Sequence, residues 1–427
     1  MLQAALAEGT AHRHCVFEVF TRRLPPGRRY GVVAGTGRIL EALTHFRFGE
    51  AELDYLERAG IADEETLDFL RGYRFTGNIT GYAEGETFFP DSPVLQVEGS
   101  FGECILLETL ILSCLNYDSA VASAASRMTS AAVTRPCLEM GSRRAHEQAA
   151  VAAARAAAIA GFEGTSNLEA GMRYGLRTIG TAAHAFTLLH DDELSAFRAQ
   201  IATFGTGTTL LIDTYDVDQG LLNAVEAAGT GLNSIRLDSG DLAMQAVETR
   251  HQLDELGAKK TQIIVTSDLD EHAIAALSAA PVDAYGVGTS LVTGSGAPTC
   301  GMVYKLVSRT DSHGVAQPVA KAAHGKPSIG GRKAAARRLD AEGRATQEVV
   351  VTGPDELVAA WEPATSDLRP LHVPLVTGGA VDSRWVGVSG VEHARARHRA
   401  SRDELPRGAR RLSVGDPAIE TVRLMLS

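Results

Sequence analysis

The sequence predicts an α/β protein in two parts, and three observations lead there. From about Cys137, short apolar runs alternate with Ala- and Leu-rich helical stretches. Each run ends in a cluster of Gly, Ser, Thr, Asp or His. The first 120 or so residues lack that repeat and have α+β texture. Repeated βα alternation implies parallel strands joined by crossover helices, in a barrel or a doubly wound sheet. Run spacings of about 18 to 31 residues fit either arrangement.

The elements follow in order. Cys15 to Phe20 has strand composition, and Pro25-Pro26-Gly27 signals a turn. Helical patterns cover Gly37 to Phe46 and Glu50 to Gly60, and Gly81 to Glu98 alternates apolar and polar residues around Gly and Pro. The middle strands are expected at Cys137 to Met140, Ala160 to Glu163, Thr178 to Ala183, Thr209 to Asp213, Ser234 to Leu237, Gln262 to Thr266 and Asp283 to Val287. Helices between them have stops, as in Leu242 to Leu256 before Gly257 and a run through Glu226 ending at Gly229. Strand-like pieces return at Met302 to Ser308, Ala316 to Ala322 and Val349 to Thr352, before a tail with Pro363, Pro370 and Pro374. The simplest organisation lets that tail rejoin the first part, giving a discontinuous domain of 1–120 with 301–427 around a barrel of 121–300. No repeat of 20 to 50 residues points to a solenoid.

Composition narrows the function classes. At 427 residues with 44% hydrophobic and 22% charged, the chain can bury sizeable cores. The Ala-rich stretch Ala149 to Phe162 is interrupted by Arg155, so no segment is expected to span a bilayer. The N-terminus has no basic region ahead of an apolar core, which makes a cytoplasmic setting the default. Cys15, Cys104, Cys114, Cys137 and Cys300 are scattered, without metal-ligand spacing, and read as buried thiols. A formal charge of −11 and a pI near 5.7 oppose a nucleic-acid footprint, and Arg395 to Arg411, with Asp403 and Glu404 among its arginines, reads as a solvated helix face.

Ligands of parallel βα folds bind at the carboxyl ends of strands. The polar clusters sit there: Gly164-Thr165-Ser166-Asn167, His184, Asp213-Thr214-Tyr215-Asp216, Arg236-Leu237-Asp238-Ser239-Gly240-Asp241, Ser267-Asp268 and Gly286-Val287-Gly288-Thr289. Gly286, Gly288 and Thr289 suit close approach of backbone amides to a phosphate, or simply a tight turn. Helix capping accounts for the Asp238 to Asp241 cluster but not for Arg236, whose fork suits a carboxylate or phosphate. A ligand role for Arg236 is preferred over a structural pair with Asp213 or Asp238. Arg143 and Arg144 add two further cations after Glu139-Met140-Gly141-Ser142. Asp213, Asp216, Asp238 and Asp268 then suit ribose hydroxyls or a magnesium ion bridging phosphates. His184, flanked by small residues, could be a nucleophile toward a phosphoryl group, an acid or base, or an orienting donor.

At these residues the sequence resembles the nicotinate phosphoribosyltransferase family. The motifs EMGSRRAHE (Glu139 to Glu147), GFEGTSNLEA (Gly161 to Ala170), GTAAHAF (Gly180 to Phe186), LIDTYD (Leu211 to Asp216), IRLDSGDL (Ile235 to Leu242), TSDLDE (Thr266 to Glu271) and YGVGTSL (Tyr285 to Leu291) occur in family order. GMVYKLV (Gly301 to Val307) and KPSIGGRKAAAR (Lys326 to Arg337) extend the match. The resemblance implies a type II phosphoribosyltransferase fold: an irregular βα barrel packed on an open-faced α+β sandwich made from both chain ends. It implies condensation of nicotinate with phosphoribosyl pyrophosphate to nicotinate mononucleotide and pyrophosphate, with Mg2+, driven by ATP hydrolysis. His184 matches a transiently phosphorylated histidine, Arg236 an arginine near the substrate carboxylate and ribose, and Gly286, Gly288 and Thr289 a 5-phosphate loop. Arg143, Arg144, Thr165, Ser166, Asp238 and Ser267 match further contacts, and Asp213, Ser239, Gly240 and Asp268 complete the candidate set. A homodimer with shared pockets is the implied assembly.

Two departures accompany the resemblance. Family members usually begin with a TDxYxLTM-like segment whose aromatic contributes to the nicotinate pocket, whereas this sequence opens at the Met of that segment. Ala124 stands where many relatives carry Lys, and Ala322-Ala323-His324 replaces a Ser-bearing stretch. The alternative they raise is a shortened, non-catalytic relative acting as a binding or partner subunit.

Overall fold

A computed structural model describes residues 1–321 and 328–427 of the chain. Ala322, Ala323, His324 and Lys326, singled out above, lie outside the described residues. The chain divides into two compact units, Met1–Ser123 with Ala297–Ser427, and Ala124–Gly296.

The first unit interleaves both chain ends. Its seven-stranded antiparallel sheet runs Ala316–Pro318, Val303–Thr310, His14–Phe20, Leu95–Ser100, Asn78–Tyr82, His372–Thr377, Ala380–Val381. The predicted strand Cys15 to Phe20 is therefore central, with Phe17 facing Leu306 on one side and Val97 on the other. Burial on both faces is why five of its seven residues are apolar, and the buried Glu18 is matched by Lys333 at 2.7 Å. A second, four-stranded sheet orders Leu368–Pro370, Ala334–Leu339, Ala345–Thr352, Glu420–Met425.

The two sheets meet through polar groups. Tyr82 of the first donates to Glu348 of the second at 2.7 Å, and both are fully buried. Arg337, at 0% exposure, pairs with Glu348 at 2.6 Å and with Glu86 at 3.1 Å. Arg369 and Arg397 close on Glu86 from the other side, and both also reach Glu404. Burial acts to raise the Glu86 pKa, yet the three guanidinium groups outweigh it and bring it down to about 2. Part of the basic stretch near the C-terminus is thus consumed here, with Arg397 facing inward and Arg410 pairing with Asp403 at the surface.

The second unit is a curled, open half-barrel. Its six parallel strands run Gly164–Thr165, Cys137–Glu139, Ala284–Val287, Gln262–Val265, Ser234–Leu237, Thr209–Leu211. Ile235, Leu237, Ile263, Val265 and Val287 are all at 0% exposure, as strands covered on both faces require. Side chains of Asn167, Asp216, Asp241 and Asp270 cap the helices that follow four strands.

Two predicted strands differ from the observed ones. Ala160 to Glu163 is a turn: Gly161 has φ +101° and ends the helix Glu147–Ile159, and the strand is Gly164–Thr165. Thr178 to Ala183 makes a single bridge, Thr178 to Thr165, and otherwise runs extended into the helix His184–Leu188. The neighbouring strand Gly164–Thr165 is too short to pair with more, and Arg177, Thr178 and Gly180 face outward. All five cysteines are buried and none is in a disulfide, and Ala124 is buried as well. Among the described residues no helix is long and apolar enough to cross a membrane.

Candidate active site

The carboxyl ends of the strands Thr209–Leu211, Ser234–Leu237 and Gln262–Val265 bring together the centre of the predicted site. Arg236 is held on three sides: its Nε donates to Thr266 Oγ1 at 2.9 Å, one Nη to Thr181 Oγ1 at 2.6 Å, and the other lies 3.0 Å from Asp238. The Asp238 pair, ranked second at the sequence level, is present. Its existence does not exhaust Arg236, whose guanidinium carries five N–H donors. Thr266 also donates to Asp238, so one hydroxyl braces both members of the ion pair. Burial would raise the Asp238 pKa, but the Thr266 hydrogen bond, Arg236 and His184 outweigh it and hold the carboxyl below its ordinary range.

Asp213 is the second carboxylate. One oxygen accepts from the Asp238 amide at 2.9 Å and from Ser239 Oγ at 2.8 Å, which fixes the turn after Leu237. Gly240 in that turn has φ +81°, and a Cβ there would meet the Gln245 side-chain nitrogen at 2.3 Å. The other oxygen, Oδ1, is buried without a hydrogen-bond partner. It lies 4.0 Å from His184 Nε2, and Asp238 lies 3.9 Å from the same nitrogen. His184 Nδ1 contacts Thr214 Oγ1 at 3.1 Å. The ring is 41% exposed, so one nitrogen is fixed while the other faces two carboxylates and remains reachable. His184 is thus the first residue of a helix, not the end of a strand.

The remaining candidates fall into three groups. Thr165 is buried and donates to Glu139, whose other oxygen accepts from the Gly141 amide, while the Ser166 amide donates to the Glu139 carbonyl at 2.8 Å. Burial pushes the Glu139 pKa up despite these hydrogen bonds. Gly286 lies inside its strand, where a Cβ would meet Thr266 Cγ2 at 2.5 Å, so its smallness lets the Thr266 brace pack close. Gly288 is the N-cap of the short helix beginning at Thr289. Arg143, Arg144, Ser267 and Asp268 are exposed, and no ion pair or hydrogen bond ties them to the Arg236 cluster among the described residues. Ser267 has φ +112°, a conformation that non-glycine residues avoid. Asp216 serves as a helix cap.

Sequence reasoning missed Thr181, Thr214, Thr266 and Glu139 as site residues. Each stands inside a quoted motif, and the available signal was adjacency: a hydroxyl or carboxyl next to a buried ion has to complete that ion's hydrogen bonds.

The arrangement defines a class first. The half-barrel, with strand-end polar groups, has the type II phosphoribosyltransferase fold. The whole chain superposes on human nicotinic acid phosphoribosyltransferase with a TM-score of 0.81, covering 99% of this chain and 96% of that one at 24% identity. It also matches a nicotinate-nucleotide pyrophosphorylase from Pyrococcus furiosus at 0.74, over 94% and 93% of the two chains, again at 24% identity. Sequence comparison is more specific. Residues 1–116 match the N-terminal domain model of nicotinate phosphoribosyltransferase, and residues 136–333 match the family model. The chain is 55% identical over 429 aligned positions to a nicotinate phosphoribosyltransferase of Mycobacterium tuberculosis, spanning 99% of this chain and 92% of that one. It is 38% identical to the Bacillus subtilis nicotinate phosphoribosyltransferase over 72% of this chain and 64% of that one. The chain belongs to the nicotinate phosphoribosyltransferase family.

Proposed function

We propose that the protein condenses nicotinate with phosphoribosyl pyrophosphate, giving nicotinate mononucleotide and pyrophosphate, in the cytoplasm and as a homodimer. The observation that carries this reading is the threonine-braced Arg236–Asp238 pair beside His184, in a chain of this family. The nicotinate ring nitrogen attacks ribose C1, the bond from C1 to the diphosphate oxygen breaks, and the diphosphate leaves with that electron pair. Positive charge develops on the sugar as the bond breaks, and Asp238, kept ionised, stabilises it. The Arg236 donors left after its bonds to Thr181, Thr266 and Asp238 suit the nicotinate carboxylate. The N-terminally shortened, non-catalytic alternative is not favoured by the near full-length similarity to family enzymes.

ATP coupling through His184 belongs to the same proposal. With Nδ1–H donating to Thr214, Nε2 holds the lone pair that accepts the γ-phosphoryl group as ADP leaves; hydrolysis then restores the imidazole. A phosphoryl group on Nε2 adds about two negative charges beside Asp213 and Asp238. Repulsion from both carboxylates makes that state costly, which is what a coupling device requires. The paired carboxylates at the strand ends suit a hard cation such as Mg2+. Bound there, the ion would neutralise the leaving group. Asp213, with its unpartnered Oδ1, and Asp238 are the residues that would hold it.

The test is product formation by the purified chain, followed by chromatography. Nicotinate mononucleotide should form only with phosphoribosyl pyrophosphate and rise on adding ATP; a folded protein without turnover overturns the reading. Labelled ATP should leave acid-labile phosphate on the chain but none on His184→Ala. Persistent labelling of that variant would remove His184 from the coupling role alone.

A further inference from the structure

Three residues outside the candidate site share one buried contact. Arg127 Nε lies 2.9 Å from Glu271 Oε1, with both side chains under 10% exposed at 7% and 4%. The other Glu271 oxygen accepts from Ser295 Oγ at 2.6 Å. These residues come from three places: the helix Glu108–Ala132, the start of the helix Glu271–Ala276, and the segment after the helix Thr289–Val292. None was read as functional from the sequence.

Their position gives them a task. Glu271 closes the turn that begins at Ser267, in which the Leu269 amide donates to the Ser267 carbonyl at 2.9 Å and Asp270 caps the following helix. Ser295 closes the far end of the short helix Thr289–Val292, whose near end carries Gly288 and Thr289, its amide donating to the Ser290 carbonyl at 2.6 Å. The Ser267 turn and that short helix follow neighbouring parallel strands, paired at Ile264 with Ala284 and Val265 with Tyr285. Ser267 at φ +112° and Ser295 at φ +50° are two of the four non-glycine residues with positive φ among the described residues. Such conformations persist only where surrounding contacts over-determine them. The Glu271 carboxylate, anchored by Arg127, ties the start of the helix after the Ser267 turn to the end of the short helix that Gly288 caps.

We infer that Arg127, Glu271 and Ser295 form a clamp that sets the spacing between the Ser267 turn and the short helix begun by Gly288 and Thr289, and thereby positions the phosphate end of the phosphoribosyl co-substrate. They are positioning residues and touch no reacting atom. The inference rests on the proposed function, because that turn and the start of that helix supply the candidate phosphate contacts. A clamp of this kind acts on binding of one substrate and leaves the chemical step alone.

Steady-state kinetics with each substrate varied in turn test it. Glu271→Gln should raise KM for phosphoribosyl pyrophosphate about ten-fold while kcat and the nicotinate KM move less than about two-fold, the pattern of lost uniform binding. Ser295→Ala keeps the Arg127–Glu271 pair, so it should fold even if Glu271→Gln does not, and should raise the same KM by roughly three-fold. Inhibition by ribose 5-phosphate should weaken in parallel, since it presents the same phosphate without the leaving group. A fall in kcat alone, equal shifts in both KM values, or no shift in Ser295→Ala overturns the clamp while leaving the proposed function standing. Absence of product from the unaltered chain removes the proposed function and the clamp together.

Discussion

The two units use the same side chains for opposite ends. In the interleaved unit, Arg337, Arg369 and Arg397 meet Glu86, Glu348 and Glu404 in a network whose centre is sealed from solvent. At the half-barrel strand ends, Arg236 meets Asp238 beside Asp213, with a 41% exposed histidine and an unpartnered Asp213 oxygen. Glu86 has its charge matched several times over; Asp213 has half of its acceptor capacity unused. The difference teaches how to separate structural from functional ion clusters. Unused hydrogen-bonding capacity alone does not separate them, since the Nε atoms of Arg337, Arg369 and Arg397 are also buried without a hydrogen-bond partner; the balance of charge does, with three guanidinium groups on Glu86 against one beside Asp213 and Asp238.

Substitutions can break or sharpen that contrast, and the largest effect is expected in the sealed network. Arg337→Ala strips a buried cation from Glu348, and removing one partner of a buried pair costs about 3–5 kcal/mol. Urea unfolding should show that loss, and a loss under about 1 kcal/mol would mean the network is dispensable. Acid should probe the same place. The Glu86 pKa is about 2 against an ordinary 4.5, so its stabilisation is fully present above pH 4.5 and is lost as pH falls toward 2. In Glu86→Gln the unfolding transition should lose that acid dependence.

At the strand ends the expected damage is to turnover. Arg236→Lys keeps the charge but loses the planar fork, and kcat/KM should fall by about 10²–10³ with little change in melting temperature. A drop in stability equal to that of Arg337→Ala would place Arg236 among the structural ions instead. Asp213→Asn should act more narrowly, lowering ATP stimulation by about ten-fold while ATP-independent product formation changes less. Equal losses with and without ATP would separate Asp213 from coupling. The smallest effect is on pH: with Asp238 held below its usual carboxylate range, the acid limb of kcat/KM should lie below that of an ordinary aspartate. Thr266→Val, which removes the brace, should move that limb upward.

Much of this was legible in the sequence where a local rule and the tertiary structure agreed. Ser234 to Leu237 and Gln262 to Thr266 are apolar runs of strand length ending in polar clusters, and both are strands. Ala160 to Glu163 misled because buried Phe162 gives a turn the composition of a strand, while the true strand, Gly164–Thr165, is too short to show any period. Thr178 to Ala183 has β-branched residues but no partner beyond one bridge, and pairing is not a local property. In the site, the charged residues were visible because charge in an apolar context demands a reason. The bracing threonines were not, because a hydroxyl is unremarkable until its partner is known. Gly286 was read as phosphate-friendly, and what the structure adds is its contact with Thr266, a residue some twenty positions away.

The central strand His14–Phe20 carries a consequence for how the protein is made. Cys15 pairs with Arg309 on one flank and Gly99 on the other. On a ribosome adding about 5–20 residues per second, its second neighbour arrives tens of seconds after the first. Throughout that interval residues 124–296 are emerging as a contiguous stretch able to form its own parallel sheet, while an apolar strand edge waits uncovered. The first sheet is thus completed only after the whole of the second unit has been synthesised.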